Sequence, residues 1–349
     1  MTISTIPLFP SHTFVPGGQI SRRRAICLFG AFAGFTFVVK DGAIALPEGT
    51  SLFTWDGTAL GAPAKLTLAH HDQRAAEKIA TVAIDEIERL ERIFSLHRRD
   101  SDLSSLNRDG RLDTPAVDLI HVMKESRRFG NLTKGAFDVT VQPLWLLFSE
   151  HFSRNPGITT GPSEAEVETA RKLVGYQKID LSEGKVRLSQ RGMAVTLNGI
   201  AQGYITDRVA DLLATQGITQ VLVELGETRA LDDHPEGRPW RIGLADPTDP
   251  SKTTETIELT NKSVATSAGS GTVFGGTGQY HHLFDPRTGV PAKHHISASV
   301  ITDRATTADA MSTALFVLST SQVKDVVELF PDMQAVVTSP DGTKHRFVG

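Results

Sequence analysis

Apolar residues recur at three- and four-residue steps between Gln73 and Phe94: Ala76, Ile79, Ala80, Ala83, Ile87, Leu90 and Ile93. That spacing predicts a helix with one buried face. The same period predicts helices over Pro115–Phe129, Ser163–Val174, Ala201–Gln216, Ala308–Leu318 and Ser319–Leu329. Ser163 with Glu166 forms a capping pair, and Gly217 ends the fourth. Short apolar runs between turn residues predict strands instead. Leu52–His70 reads as a hairpin, Ile179–Thr196 as two strands around Glu183-Gly184, and Met333–Thr338 with His345–Val348 as a last hairpin. Single strands are expected over Val221–Leu225, Trp240–Ala245, Thr256–Leu259, Val264–Ser267 and Ala298–Thr302. Phe94–Gly110 is polar and reads as a loop, with Pro143–Phe148 a further apolar segment and residues 149–163 an exposed excursion. Helices and strands alternate without a long parallel βαβ series, so the fold class is α+β.

The chain has 349 residues, 40% of them hydrophobic and 22% charged, enough for a sizeable core. A net charge of −4 gives no general reason to expect nucleic acid or an anionic membrane as a partner. The single cysteine, Cys27, excludes disulfides and thiolate metal sites within one chain. It stands in a distinct N-terminal pattern. Ser21-Arg22-Arg23-Arg24 precedes the apolar run Leu28–Val39, and Ala43-Ile44-Ala45 has the small-x-small form of a cleavage site. Residues 1–45 are therefore expected to be a cleaved twin-arginine export signal, recognised by the export machinery, with a periplasmic domain at 46–349.

The chemistry-bearing residues concentrate late in the chain. Tyr280–Gly289 is a turn rich in imidazole and carboxylate, followed by Ala308-Asp309-Ala310-Met311-Ser312-Thr313. Asp309 and Thr313 are four residues apart and share a helix face. A carboxylate and a hydroxyl so placed suit one hard cation such as magnesium. A helix start also favours phosphate, so this reading places metal and phosphate together. Asn198-Gly199-Ile200-Ala201-Gln202-Gly203-Tyr204 follows a strand and opens a helix, where small residues admit a ligand or simply allow close packing. Of the histidines, His282 is the candidate functional one. The adjacent pairs His70-His71, His281-His282 and His294-His295 face opposite ways in a strand and make poor two-histidine metal sites. Neither a P-loop nor a dinucleotide-binding glycine fingerprint is present.

Taken in order, these segments resemble the ApbE family of FAD:protein FMN transferases. The pieces are Phe94–Leu103 with Asn107, Gly135-Ala136-Phe137-Asp138 with Pro143-Leu144, Gly199–Tyr204 with Asp207, Val223–Gly226, Ala265-Thr266-Ser267, His282–Gly289, and Ala308-Asp309 with Thr313-Ala314. Thr58–Ala62, Gln202 and Gly226-Glu227 are closest to the exported NosX-like branch, linked to nitrous oxide reductase maturation. The resemblance implies a single domain of mixed or antiparallel sheets flanked by helices. It also implies magnesium-dependent transfer of FMN from FAD to a threonine of a periplasm-facing flavoprotein, with release of AMP. The metal ligands it implies are Asp309, Thr313 and the Gly199 carbonyl. The flavin-binding positions are Leu60, His97, Asn107, Ala136, Phe137, Asp138, Thr196, Gln202 and Leu283. His282 is the candidate base, beside Asp309 as the metal-holding catalytic residue. The family usually has Asp at Thr196, Tyr at His97, and Lys or Glu at Gln202. These departures leave two further readings: a non-catalytic flavin-binding maturation factor, and a periplasmic FAD pyrophosphatase releasing free FMN.

Overall fold

Strand alternation sorts the central sheet into two chemically distinct faces. In the computed structural model, which describes residues 36–38, 46 and 49–349, eight antiparallel strands form this sheet. Their order is Lys344–Val348, Gln334–Thr338, Ser297–Thr302, Ser263–Ala268, Thr228–Leu231, Val221–Glu224, Ala62–His70 and Ser51–Ala59. Val221, Val223, Ala265, Ala298 and Val300 enter the main core. Leu222, Val264 and Ile301, one residue out of phase, enter a second core on the opposite face.

Four helices cover the first face: α1 (Gln73–Phe94), α6 (Ala201–Thr215), α7 (Ala305–Val317) and α8 (Thr320–Val327). Between α1 and α6 in sequence lie α2 (Asp102–Asp109), α3 (Val117–Leu132), α4 (Gln142–Arg154) and α5 (Glu164–Arg171). The last helix, α8 (Thr320–Val327), leads into the final hairpin. A small sheet of Thr36–Val38, Trp240–Ala245 and Thr253–Leu259 covers the second face around the buried Trp240. The architecture is the expected α+β single domain with antiparallel sheets flanked by helices.

The long hairpin turns at Leu60 (φ 48°) and Gly61 (φ 83°), the left-handed pair that a two-residue hairpin favours. Leu60 is an unusual residue for that conformation. Its backbone N–H donates to Glu91 Oε1 of α1 at 2.5 Å, which ties the turn to the helix layer. Asp56-Gly57, a turn signal in the sequence, lies inside the strand Ser51–Ala59.

The stretch expected to be a polar loop, 94–110, contains α2. Ser101 caps it by accepting from Ser104 N–H, and Leu103 and Leu106 fill the core beneath it. Most of the export-signal pattern, Cys27 and Ala43-Ile44-Ala45 included, lies outside the described residues. Thr36–Val38, from the end of its apolar run, pairs with Ile242–Leu244. Among the described residues no helix is long and apolar enough to cross a membrane.

A third, separate core lies beside the main one. Phe148 and Phe152 of α4, Val167 of α5, Phe274 and Phe284 pack together, with Tyr280 against them. The rings meet at tilted angles, Phe148 and Phe284 with centroids 5.0 Å apart.

Candidate active site

The cleft lies between the main core and this aromatic core. It is lined by Phe137, Asp138, Val139, Val141, Trp145, Thr196, Asn198, Gly199, Ser267, His282, Leu283, Asp309 and Thr313. Segments separated by well over a hundred residues in sequence thus converge. Eight residues singled out from the sequence line it: Phe137, Asp138, Thr196, Gly199, His282, Leu283, Asp309 and Thr313.

The floor is α7. This helix is apolar on nearly all sides and is buried accordingly, with Asp309 1% and Ser312 0% exposed. Its placement depends on Gly203. A Cβ there would stand 2.2 Å from the Ala305 carbonyl oxygen and 2.8 Å from Asp309 Cβ, so only glycine lets α6 and α7 cross this closely. The contact brings the Gly203 N–H to Asp309 Oδ2 at 2.9 Å. Thr313, one turn on, touches the other end of the same loop. A methyl at Gly199 would meet its hydroxyl at 2.8 Å. Ser267 Oγ lies 3.3 Å from Thr313 Oγ1 and 2.8 Å from Ser312 Oγ.

The electrostatics are those of a site short of positive charge. Burial pushes the Asp309 carboxyl up to about 8, the Gly203 hydrogen bond offsetting only part of that. No lysine or arginine lines the cleft. Asp309, Thr313, Ser267 and the Gly199 backbone are all oxygen donors, the set that a hard divalent cation prefers. Among the described residues no three His, Cys, Asp or Glu side chains converge as a metal cluster. The fit is therefore to a cation bound by one carboxylate, neutral oxygens and its own ligand.

The expectation of phosphate at the start of α7 is corrected. Asp309 sits in the second turn, because the helix begins at Ala305 rather than Ala308. Its first N–H groups are already taken: buried Asp207 accepts from Ala305 N–H at 3.0 Å, Thr306 N–H at 2.9 Å and Thr306 Oγ1 at 2.6 Å. Arg229 and Arg304 balance that carboxylate at 2.8 and 3.2 Å.

His282 faces the cleft from the opposite wall. Its Nδ1 is 3.2 Å from both the backbone nitrogen and the carbonyl oxygen of Thr272. Burial pushes its imidazolium down to about 4, with His281 adding to the effect, so the ring is neutral at physiological pH. In the tautomer that donates Nδ1–H to Thr272 O, the Nε2 lone pair is left to accept a proton.

Asp138 lines the cleft but its oxygens are engaged. Oδ1 accepts from Thr140 N–H and Thr140 Oγ1, and Oδ2 from Tyr176 N–H. It braces the turn that presents Phe137. Asn107 lies outside the cleft lining and acts at one remove. Its amide donates to Val195 O at 2.8 Å and accepts from Val195 N–H at 2.6 Å, which fixes the segment leading to Thr196.

Four expected flavin contacts also stand outside the lining. Leu60 is at the hairpin turn, Ala136 is buried in the main core, His97 is exposed after α1, and Gln202 is buried against Gly226. Trp145, Val139, Val141, Asn198 and Ser267 line the cleft without having been assigned a role from the sequence. Ser267 carried a usable signal, since Ser263–Ala268 is a strand buried at every position yet half hydroxyl-bearing.

The sequence and the fold have counterparts among known proteins. The ApbE family profile matches residues 60–337. The chain belongs to the ApbE family. It is 33% identical over 247 residues to the FAD:protein FMN transferase of Haemophilus influenzae, covering 67% of this chain and 71% of that protein. It is 31% identical to the Vibrio cholerae protein of the same name, covering 82% and 88%. Among solved structures, the ApbE protein of Thermotoga maritima superposes with a TM-score of 0.74 at 29% identity, over 85% of this chain and 97% of that one. The flavin transferase ApbE of Vibrio cholerae does so with a TM-score of 0.73 at 26% identity, over the same shares.

Proposed function

We propose that this ApbE-family chain is an FAD:protein FMN transferase that works in the periplasm with magnesium and modifies a threonine of a periplasm-facing flavoprotein. The observation that carries the reading is the meeting of Asp309, Thr313, Gly199 and His282 in one cleft lined by apolar and aromatic side chains. Of the three departures from the family pattern, only Thr196 lines that cleft. Exposed His97 and buried Gln202 stand apart from it. The catalytic reading is thereby favoured over a flavin-binding maturation factor.

The reaction divides among the residues as follows. Phe137, Trp145 and Leu283 give the flavin an apolar wall and exclude water. Asp309, Thr313 and the Gly199 carbonyl would hold the magnesium ion, which supplies charge neutralisation to the diphosphate when bound. His282 receives the proton from the acceptor threonine hydroxyl. The threonine oxygen forms a bond to the FMN-side phosphorus. The bond from that phosphorus to the bridging oxygen breaks, and AMP leaves with the bridging oxygen.

The acceptor is a membrane-bound, periplasm-facing flavoprotein, and the branch resemblance favours one serving nitrous oxide reductase. Export through the Ser21-Arg22-Arg23-Arg24 signal would deliver the folded enzyme to it. The test is incubation with FAD, Mg2+ and a candidate acceptor domain, read by in-gel flavin fluorescence. Covalent flavin on the acceptor supports the proposal. Free FMN with AMP would identify a pyrophosphatase, and intact FAD a binding factor.

A further inference from the structure

Three hydroxyl groups at the cleft floor are joined in a row, and the mechanism above uses only the last of them. Ser312 and Thr313 are neighbours on α7, and Ser267 stands on the strand Ser263–Ala268 that packs against this helix. Ser267 and Thr313 line the cleft, whereas Ser312 lies outside the lining and is fully buried. Ser312 Oγ is 3.0 Å from the Asp309 carbonyl oxygen and 2.8 Å from Ser267 Oγ. Ser267 Oγ is in turn 3.3 Å from Thr313 Oγ1.

The direction of the row is fixed by its hydrogens. A hydroxyl has one hydrogen to donate and two lone pairs that accept. The Asp309 carbonyl can only accept, so the Ser312 hydrogen is committed there. Ser267 is then the donor to Ser312, and Thr313 the donor to Ser267. What the Thr313 oxygen offers in every other direction is lone pairs. A helical threonine ordinarily donates to a carbonyl three or four residues back. For Thr313 the carbonyl four back is that of Asp309, to which Ser312 is bonded instead. The 3.3 Å link is the longest of the row. It is also the one a cation would strengthen, since an oxygen bound to a divalent ion releases its proton more readily.

We propose that Ser267 and Ser312 are positioning residues of the cation site: together they take up the Thr313 hydrogen and so hold Thr313 Oγ1 as an acceptor, which is what a ligand to an ion must be. The inference rests on the reading of Asp309 and Thr313 as metal-holding residues. Ser267 acts through Thr313 rather than as a ligand of its own. Ser312 acts from outside the cleft lining. Removing its hydroxyl leaves the Ser267 hydrogen without an acceptor. That hydrogen then turns to Thr313 Oγ1, reverses the row and occupies a lone pair that the ion needs.

The experiment uses Mn2+ as the probe, with free Mn2+ read by EPR during titration into FAD-saturated protein. Wild type, S267A, S312A, T313V, the double variant S267A with T313V, and D309A are compared, and thermal unfolding in EDTA is recorded for each. The Mn2+ midpoint should rise roughly three- to tenfold in S267A and in S312A, as expected for loss of one hydrogen bond. In the T313V background, S267A should add less than about twofold, because a residue that acts through Thr313 then has nothing to act on. A further loss there as large as in wild type would make Ser267 a separate ligand and overturn the assignment. A midpoint within about twofold of wild type in S267A or S312A, with D309A impaired, overturns it too and leaves the cation reading standing. If a Ser267 variant fails to fold, S312A decides on the same threshold. Failure of both S267A and S312A to fold overturns the assignment by making the row structural. If D309A binds Mn2+ like wild type, or wild type binds none, the cation reading itself falls and this inference with it.

Discussion

The backbone N–H of Gly203 and the carboxylate of Asp309, 2.9 Å apart, join the two helices that form the heart of the cleft. The bond exists because residue 203 has no side chain, since any Cβ would collide with the Ala305 carbonyl. G203A should therefore act on chemistry and packing together. Forcing the crossing apart costs about 1–3 kcal/mol, as overpacked cores do. Thermal unfolding should show the loss, and FMN transfer should fall with it; wild-type values for both would refute the account of this crossing.

D309A separates the two effects. It removes a buried carboxyl that has one N–H partner and no cationic one, so the fold should survive. Magnesium-dependent transfer should be abolished. In-gel flavin fluorescence of an acceptor domain, with circular dichroism of the variant, provides the check, and full activity would remove Asp309 from the metal role.

H282A should bind FAD as wild type does and lose transfer. The pH profile adds a sharper test. Burial holds His282 in its neutral, proton-accepting form down to about pH 4, well below the ordinary 6.5 of a free histidine. The acid limb of kcat/KM, measured over the range where the enzyme remains folded, should therefore show no inflection near 6.5. An inflection there that vanishes in H282A would contradict the buried-base assignment.

Stability should also respond to acid. His282 and His295 are both pushed down to about 4 by burial, while the unfolded chain titrates its histidines near 6.5. Between those values the unfolded chain binds protons that the folded chain does not. Stability is therefore full above about pH 6.5 and falls as pH drops toward 4, by about 1–3 kcal/mol per histidine. Urea denaturation at pH 7.5, 6 and 5 measures the slope. H295L, which cannot titrate, should flatten it; an unchanged slope would rule His295 out as a source.

Asp207 should matter for the fold rather than the reaction step. D207A strips the start of α7 of its acceptor and leaves the largely buried Arg229 without that partner. A loss of about 3–5 kcal/mol is expected, the range for breaking a buried pair. Denaturant titration would show it, and a loss below about 1 kcal/mol would mean that α7 is anchored elsewhere.

These residues also mark how far the sequence could be read. The amphipathic helices were legible because their apolar residues keep a 3.6-residue period against a single core, as in Gln73–Phe94. Asp309 with Thr313, and the Gly199–Gly203 loop, were legible as local patterns, and the fold joined them. Helix α2 was missed because Leu103 and Leu106 are its only buried apolar residues, too few to outweigh the polar residues around them. The strand Thr228–Leu231 has only four residues and follows a glycine turn, which left no run to detect. Asp207 gave no local hint of its function, since it caps a helix that begins 98 residues later. Ser267 belongs to the same class, for its place beside Ser312 and Thr313 comes from neighbours that the chain brings together only on folding.

The aromatic body made by Phe148, Phe152, Phe274 and Phe284 has its own packing, apart from the core beneath Asp309. The active cleft is thus a seam between two independently anchored jaws. One jaw carries Asp309 and Thr313, and its geometry is pinned by a helix crossing that tolerates no added atom. The other is a cluster of rings whose shape can drift by substitution while the first stays fixed.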